Sequence, residues 1–261
     1  MLYGIEGKTA IVTGVRENSL GFKVCEMLLD EGCNVMSTYH FDYGQDDNSE
    51  YLRQVEEQNK KHKAQMKVVV ADVSKEEDID LVFEETIKEF GEVDIIVNNA
   101  GIWPQALVKD MKVEDFRRTL DINLIGPFML SKKFVNYCLD NNRKGKVINM
   151  SSQAAFHGST SGHAHYAASK AVIVALTRSL AREVAPYGIN VNAVAPGIME
   201  SKMVAYRLDK PEARQAYIDR IPLRKIASHE DVAKIVLFLC SNQSDYMTGT
   251  TLDASGGMMM R

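Results

Sequence analysis

The chain reads as a doubly wound α/β protein: a parallel seven-stranded sheet with helices on both faces, a three-layer sandwich. Three observations predict it. Short apolar runs alternate with longer amphipathic stretches from end to end, several of those runs are continuous and β-branched (AIVT, VVVA, IIVN), and the amphipathic stretches stop at glycines such as Gly32 and Gly91. Continuous apolar runs suit strands covered on both sides, as in a parallel sheet. A β-α-β-α rhythm builds such a sheet.

The first strand falls at 9–13, TAIVT, and a helix follows whose face is Phe22, Cys25, Leu28 and Leu29, spaced three and four apart. Gly32 ends it. The second strand lies at 34–39 and the third at 67–71; between them, HFDYGQDDNSE at 40–50 is acidic and reads as a surface loop. Ile79, Val82, Phe83, Ile87 and Phe90 form the next helical face, stopped by Gly91, before a fourth strand at 94–98. A long helical pattern covers 113–139, a fifth strand 146–150, and a second long helix carries Tyr166. Strands at 189–194 and 250–254 complete the sheet, with an inserted segment at about 201–221 expected to form a mobile helical lid. No linker, repeat or low-complexity stretch divides 1–261, so one domain is expected.

At 261 residues the chain can bury a substantial core without disulfides or metal. Its 31 basic and 35 acidic residues give a net charge of −4, which excludes a broadly basic nucleic-acid binder. No apolar run approaches the roughly 20 residues of a membrane span. The opening MLYGIEGKTAIVTG lacks a charged-then-apolar signal layout, so a cytoplasmic location is expected. Cys25, Cys33, Cys138 and Cys240 show no CxxC spacing and read as reduced and inert.

TAIVTGVRENSLG is a strand, a glycine turn and a helix start, a context that aims backbone N–H groups at a phosphate. The loop is one residue longer than the usual spacing, and Ser19 stands where a second glycine is expected. Further on come Asp72-Val73, then Asn98-Asn99-Ala100-Gly101, then Tyr166-x-x-x-Lys170, then Pro196-Gly197-Ile198-Met199-Glu200-Ser201, then Leu252-Asp253-Ala254-Ser255-Gly256-Gly257. In this order the set resembles the short-chain dehydrogenases/reductases, over nearly the whole chain. The resemblance implies a Rossmann-like fold with a nicotinamide cofactor across the strand ends. Gly14, Ser19, Leu20 and Gly21 would line its pyrophosphate, and Asp72 and Val73 its adenine. Asn98, Asn99, Ala100 and Gly101 would support the adenosine ribose and the central sheet. Pro196, Gly197 and Met199 would hold the carboxamide, with Ser201 where the family more often has threonine.

Tyr166 and Lys170 share a helix face at i and i+4. A free phenol titrates near 10, and a neighbouring ammonium favours the phenolate, so the pair can move a proton at a carbonyl or alcohol. The bare YxxxK spacing also arises by chance on amphipathic helices. The resemblance adds Ser152, the second serine of KVINMSS, as hydrogen-bond partner of the substrate oxygen, ahead of Ser151. It also adds Asn123, which would help hold a water relaying protons to the lysine. No metal-ligand spacing appears. His157, His163 and His165 sit in a Gly/Ser-rich stretch and are read as bordering the substrate mouth.

Substrate is the least determined feature. Trp103, His157, His165, Met203 and Tyr206 are the candidate contacts, though apolar residues of the 201–221 segment also suit simple packing. The implied activity is an NAD(P)-dependent oxidoreductase interconverting a secondary alcohol and a ketone. Alternatives are a 3-oxoacyl thioester reductase, an enoyl reductase and a catalytically silent nicotinamide-nucleotide sensor. The end of the second strand holds Tyr39 and His40 where NAD-preferring folds place an acid, and Arg16 can meet a 2′-phosphate, so NADP is favoured slightly over NAD; Asp42, two residues on, weighs the other way. The resemblance also implies a homo-oligomer, a tetramer or dimer, paired through the 113–139 and Tyr166 helices. The apolar tail Met258-Met259-Met260 is expected to bury against a neighbour.

Overall fold

A computed structural model describes residues 3–41, 48–200 and 208–260. Its sheet has seven parallel strands in the order β3-β2-β1-β4-β5-β6-β7. They are β1 (Thr9–Val12), β2 (Asn34–Tyr39), β3 (Met66–Val70), β4 (Ile95–Asn98), β5 (Gly145–Met150), β6 (Ile189–Pro196) and β7 (Thr251–Ala254). Every strand expected from the sequence is present, β2 with the expected bounds and the others with ends shifted by one or two residues.

The strand residues alternate between two cores, which is why their runs are apolar throughout. On one face Ala10, Val12, Val35, Ile95, Val97 and Ile148 pack with α1 (Leu20–Asp30), α2 (Ser49–Lys61) and the late helix His229–Cys240. On the other, Ile11, Met36, Ile96, Val147 and Val191 meet α3 (Glu76–Phe90), α5 (Gly126–Asp140) and α7 (Ala164–Val184). Gly91, at φ +82, ends α3 as expected for a left-handed stop.

The helical pattern at 113–139 is one rod with a defect. The helix α4 (Val113–Leu120) passes through a π-helical turn, Asp121–Ile125, into α5. Such turns disturb the regular hydrogen-bond ladder and recur at functional sites. After β5 comes a short helix, α6 (Ala154–His157), and after β6 lie α8 (Pro211–Arg220) and α9, the His229–Cys240 helix, started by a Ser228–Asp231 capping box.

Part of the expected lid, 201–207 with Ser201, Met203 and Tyr206, lies outside the described residues, as does Asp42. Of the rest, Leu208 and Ile221 pack with Ile226, and Ile198, Tyr217, Ile218 and Met258 close over them. In the tail, Met259 is buried and Met258 partly buried against their own chain, while Met260 is exposed.

Candidate active site

Strand order runs outward in both directions from β1 and β4, and open α/β sheets bind ligands at the carboxyl ends beside such a switch point. A cleft of about 1250 Å³ opens there.

One side is the loop after β1. Gly14 turns at φ +66, and a Cβ on it would stand 2.5 Å from Ala100 Cα, so only glycine lets the loop lie against the β4 turn. Asn99 Nδ2 ties the two together, donating to Thr13 O (2.9 Å) and Gly14 O (3.0 Å). The left-handed residue inside the loop is Asn18, at φ +53, rather than residue 19. Ser19 is extended and caps α1: its hydroxyl accepts from the Phe22 and Arg16 amides (3.2 Å each) and donates to Arg16 O (2.7 Å). A serine is therefore compatible with the expected second-glycine position, and its hydroxyl serves the loop itself.

At the end of β2, Arg16 donates to His40 O (2.7 Å), with its guanidinium carbon 5.6 Å from the Tyr39 ring centroid. Beyond β3, the Asp72 carboxyl is partly buried, which alone would raise its pKa. Hydrogen bonds from the Ser74 hydroxyl (2.6 Å) and amide (3.0 Å), with His40 and Arg118 nearby, hold it below the usual carboxylate range.

At the other end Ser152, Tyr166 and Lys170 converge. Burial pushes the Tyr166 phenol up, and the hydrogen bond with Ser152 opposes that. Lys170 is buried, and burial pulls its ammonium down to about 8. Its Nζ donates to Met150 O (2.8 Å) and lies 5.7 Å from the Tyr166 ring centroid. In the protein without cofactor, desolvation outweighs the Ser152 hydrogen bond and keeps the phenol protonated. The Ser151 hydroxyl is spent on Lys170 O (2.9 Å), which leaves Ser152 as the serine beside the tyrosine.

Trp103 forms a wall over this end. It stacks on His163 at 4.0 Å between centroids and 11° between planes, and its edge meets the Tyr166 ring at 6.3 Å and 71°. His163 Nδ1 bonds Pro104 O (2.8 Å), which fixes the stack in place.

The cleft is lined by Gly14, Arg16, Ser19, Leu20, Gly21, His40, Asp72, Val73, Asn99, Ala100, Gly101, Trp103, Ser152, His157, Tyr166, Lys170, Pro196, Gly197 and Met199. Besides His163, which is buried in its stack on Trp103, four expected residues do not line it. Tyr39 is buried, stacked on Tyr51 at 5.1 Å. Asn98 is buried in the sheet, donating to Asn149 Oδ1 (2.8 Å) and Ser131 Oγ (3.1 Å). His165 is fully buried near Phe116, and neither ring nitrogen has a partner among the described residues.

The fourth is Asn123, in the π-helical turn. Its Oδ1 accepts from Ile102 N (2.8 Å), and its Nδ2 donates to Ile102 O (3.0 Å) and Ser169 Oγ (3.1 Å). The side chain thus anchors the loop that leads into Trp103. Sequence reasoning missed Thr38, Arg118, Gln153, His229 and Met258, all of which line the cleft. Only Gln153 carried a usable signal, its place directly after Ser152.

The walls fit an extended dinucleotide. At Gly14 and Gly197 a Cβ would stand 2.5 Å from Ala100 Cα and 2.8 Å from Ser255 Cα, so both loops require glycine to pack as they do along the cleft. An ionised Asp72 stands at one end, and the Tyr166 phenol with the buried Lys170 ammonium at the other.

A family model described as enoyl-(acyl carrier protein) reductase matches residues 14–259. The chain is 39% identical over 260 residues to 3β-hydroxysteroid dehydrogenase 1 of Eggerthella lenta, covering 98% of this chain and 95% of that one. It is 36% identical over 256 residues to 3-oxoacyl-(acyl-carrier-protein) reductase FabG of Vibrio cholerae, covering 98% and 99%. Among solved structures, a proposed NAD(P)-dependent gluconate 5-dehydrogenase from Beutenbergia cavernae, with NADP at low occupancy, superposes with a TM-score of 0.87 at 30% identity, covering 98% of each chain.

Proposed function

The chain belongs to the short-chain dehydrogenase/reductase family, NAD(P)-dependent oxidoreductases acting on CH–OH and C=O groups, and we propose that Tyr166, Ser152 and Lys170 run its reaction on a secondary alcohol or ketone. The observation that carries this is their convergence at one end of the cleft. A bound nicotinamide would supply the hydride chemistry. The protein's own residues do the rest. Ser152 and Tyr166 hydrogen-bond the substrate oxygen, and Tyr166, kept protonated by burial, gives its proton to that oxygen as a carbonyl is reduced. Lys170 places positive charge beside the phenol, which favours the phenolate left behind. Asn123 holds the Ile102–Trp103 backbone in register.

Gly14, Ser19, Leu20, Gly21, Asn99, Ala100, Gly101, Pro196, Gly197 and Met199 would hold the cofactor, with Asp72 and Val73 at its adenine. Arg16, placed at the end of β2, supports NADP over NAD because a 2′-phosphate gains a charge-assisted bond there. Glu17 on the same rim keeps the margin small. Reduction of a 3-oxoacyl thioester is the second reading, favoured by the 36% identity to that reductase. A silent nucleotide sensor would need neither Tyr166 nor Ser152.

The exposed Val113, Ile125, Phe128 and Val172 on α4, the π-helical turn, α5 and α7 support a homotetramer or dimer. A cytoplasmic location completes the reading; the four cysteines are buried and unpaired, as a reducing compartment allows. The test is a screen of ketones and secondary alcohols with NADPH and NADH, read by nicotinamide absorbance. Turnover that survives Tyr166→Phe at the wild-type rate would reject the assignment.

A further inference from the structure

Gln153 directly follows Ser152 and lines the reaction end of the cleft. Its backbone is fixed on both sides: its amide donates to Pro196 O (2.9 Å), and its carbonyl accepts from Phe156 N (3.1 Å). The side-chain Oε1 is buried and has no hydrogen-bond partner among the described residues. Buried acceptors are seldom left unpaired, because each one forfeits its hydration without return. The indole of Trp103 lines the same cleft, a flat apolar wall held by its stack on His163 and packed against the Tyr166 ring at 71°. A substrate held at Ser152 and Tyr166 would then have both an apolar plane and an amide oxygen in need of a donor within the same cleft.

We propose that Gln153 determines specificity by hydrogen-bonding a hydroxyl on the carbon next to the reacting one. The preferred substrates are then vicinally hydroxylated ring compounds, 2-hydroxy ketones and their 1,2-diols, whose C–H face lies on Trp103. This rests on the carbonyl/alcohol reading above. A site built to pair a substrate hydroxyl discriminates strongly against the analogue that lacks it, since the protein group is then left unpaired. A partner hydroxyl would accept the amide N–H or donate to Oε1, and the terminal amide turns to suit either.

The experiment compares 2-hydroxycyclohexanone with cyclohexanone as substrates, and cyclohexane-1,2-diol with cyclohexanol as ligands of the NADPH-loaded protein, followed by nicotinamide fluorescence. Wild type is expected to favour the hydroxylated member of each pair by about tenfold or more, the order of one hydrogen bond. In Gln153→Leu, and in Gln153→Met as a second variant of similar length, that ratio should fall to near one with NADPH affinity unchanged. A ratio that stays the same in both variants, or a wild type favouring the unsubstituted ring, overturns the proposal. Binding preference lost in the variants, without turnover of any carbonyl, would uphold Gln153 while refuting the catalytic reading.

Discussion

Replacing Lys170 by methionine is expected to stabilise the protein while abolishing its activity. The ammonium is buried, and burial draws its pKa from the usual 10.5 to about 8. At about 1.4 kcal/mol per tenfold, keeping it charged at neutral pH costs the fold about 3 kcal/mol. Methionine is similar in length and needs no hydration, but it gives up the 2.8 Å bond to Met150 O, worth about 1–2 kcal/mol. The net gain is then about 1–2 kcal/mol, or roughly 2–8 °C in Tm for a chain of this size. The pH dependence separates this cause from packing. Below pH 8 the lysine is charged in both folded and unfolded chains, and the full penalty applies. Between about 8 and 10.5 the folded protein has released the proton while the unfolded chain still holds it, so wild-type stability rises with pH relative to the variant. Thermal scans of cofactor-free protein from pH 7 to 10, at one protein concentration, should therefore show the Tm gap closing. A variant less stable than wild type at pH 7, or a gap that widens with pH, refutes the reasoning.

Tyr166→Phe removes the proton donor alone and should lower kcat by about 10²- to 10⁴-fold, with NADPH affinity, read by fluorescence, nearly unchanged. Arg16→Ala should shift the ratio of kcat/KM for NADPH over NADH toward NADH by about tenfold, the value of one charge-assisted bond at a partly exposed site; an unchanged ratio would remove Arg16 from cofactor choice. Asn123→Ala strips partners from both the amide and the carbonyl of Ile102, a loss of about 2–4 kcal/mol measurable by urea unfolding. It should also weaken substrate more than cofactor, because the loop it anchors carries Trp103. Unfolding free energy within about 0.5 kcal/mol of wild type would show that anchor to be dispensable.

What the sequence revealed and what it hid follow from how each signal depends on neighbours. The sheet was legible because burial on both faces writes a strand as an unbroken apolar run, as in IIVN at β4. Tyr166 and Lys170 were legible because i and i+4 share a helix face in any helix. The misplacements share a different cause: residues adjacent in sequence point apart. At the end of β2 the pleat turns Thr38 and His40 to the cleft and Tyr39 to the core, so the position read as ribose-facing belongs to the other side. Likewise His165 is one step from Tyr166, which on α7 rotates it by about 100°, away from the cleft and toward Phe116. DINLI itself contains no breaker, but Pro127 just beyond it has no N–H for the carbonyl of Asn123, which interrupts the regular ladder where the π-helical turn sits. Ser19 shows the opposite case. A missing glycine looked like a departure, yet position 19 is extended and needs none: Gly14 and Asn18 take the left-handed conformations, and the serine hydroxyl caps the helix.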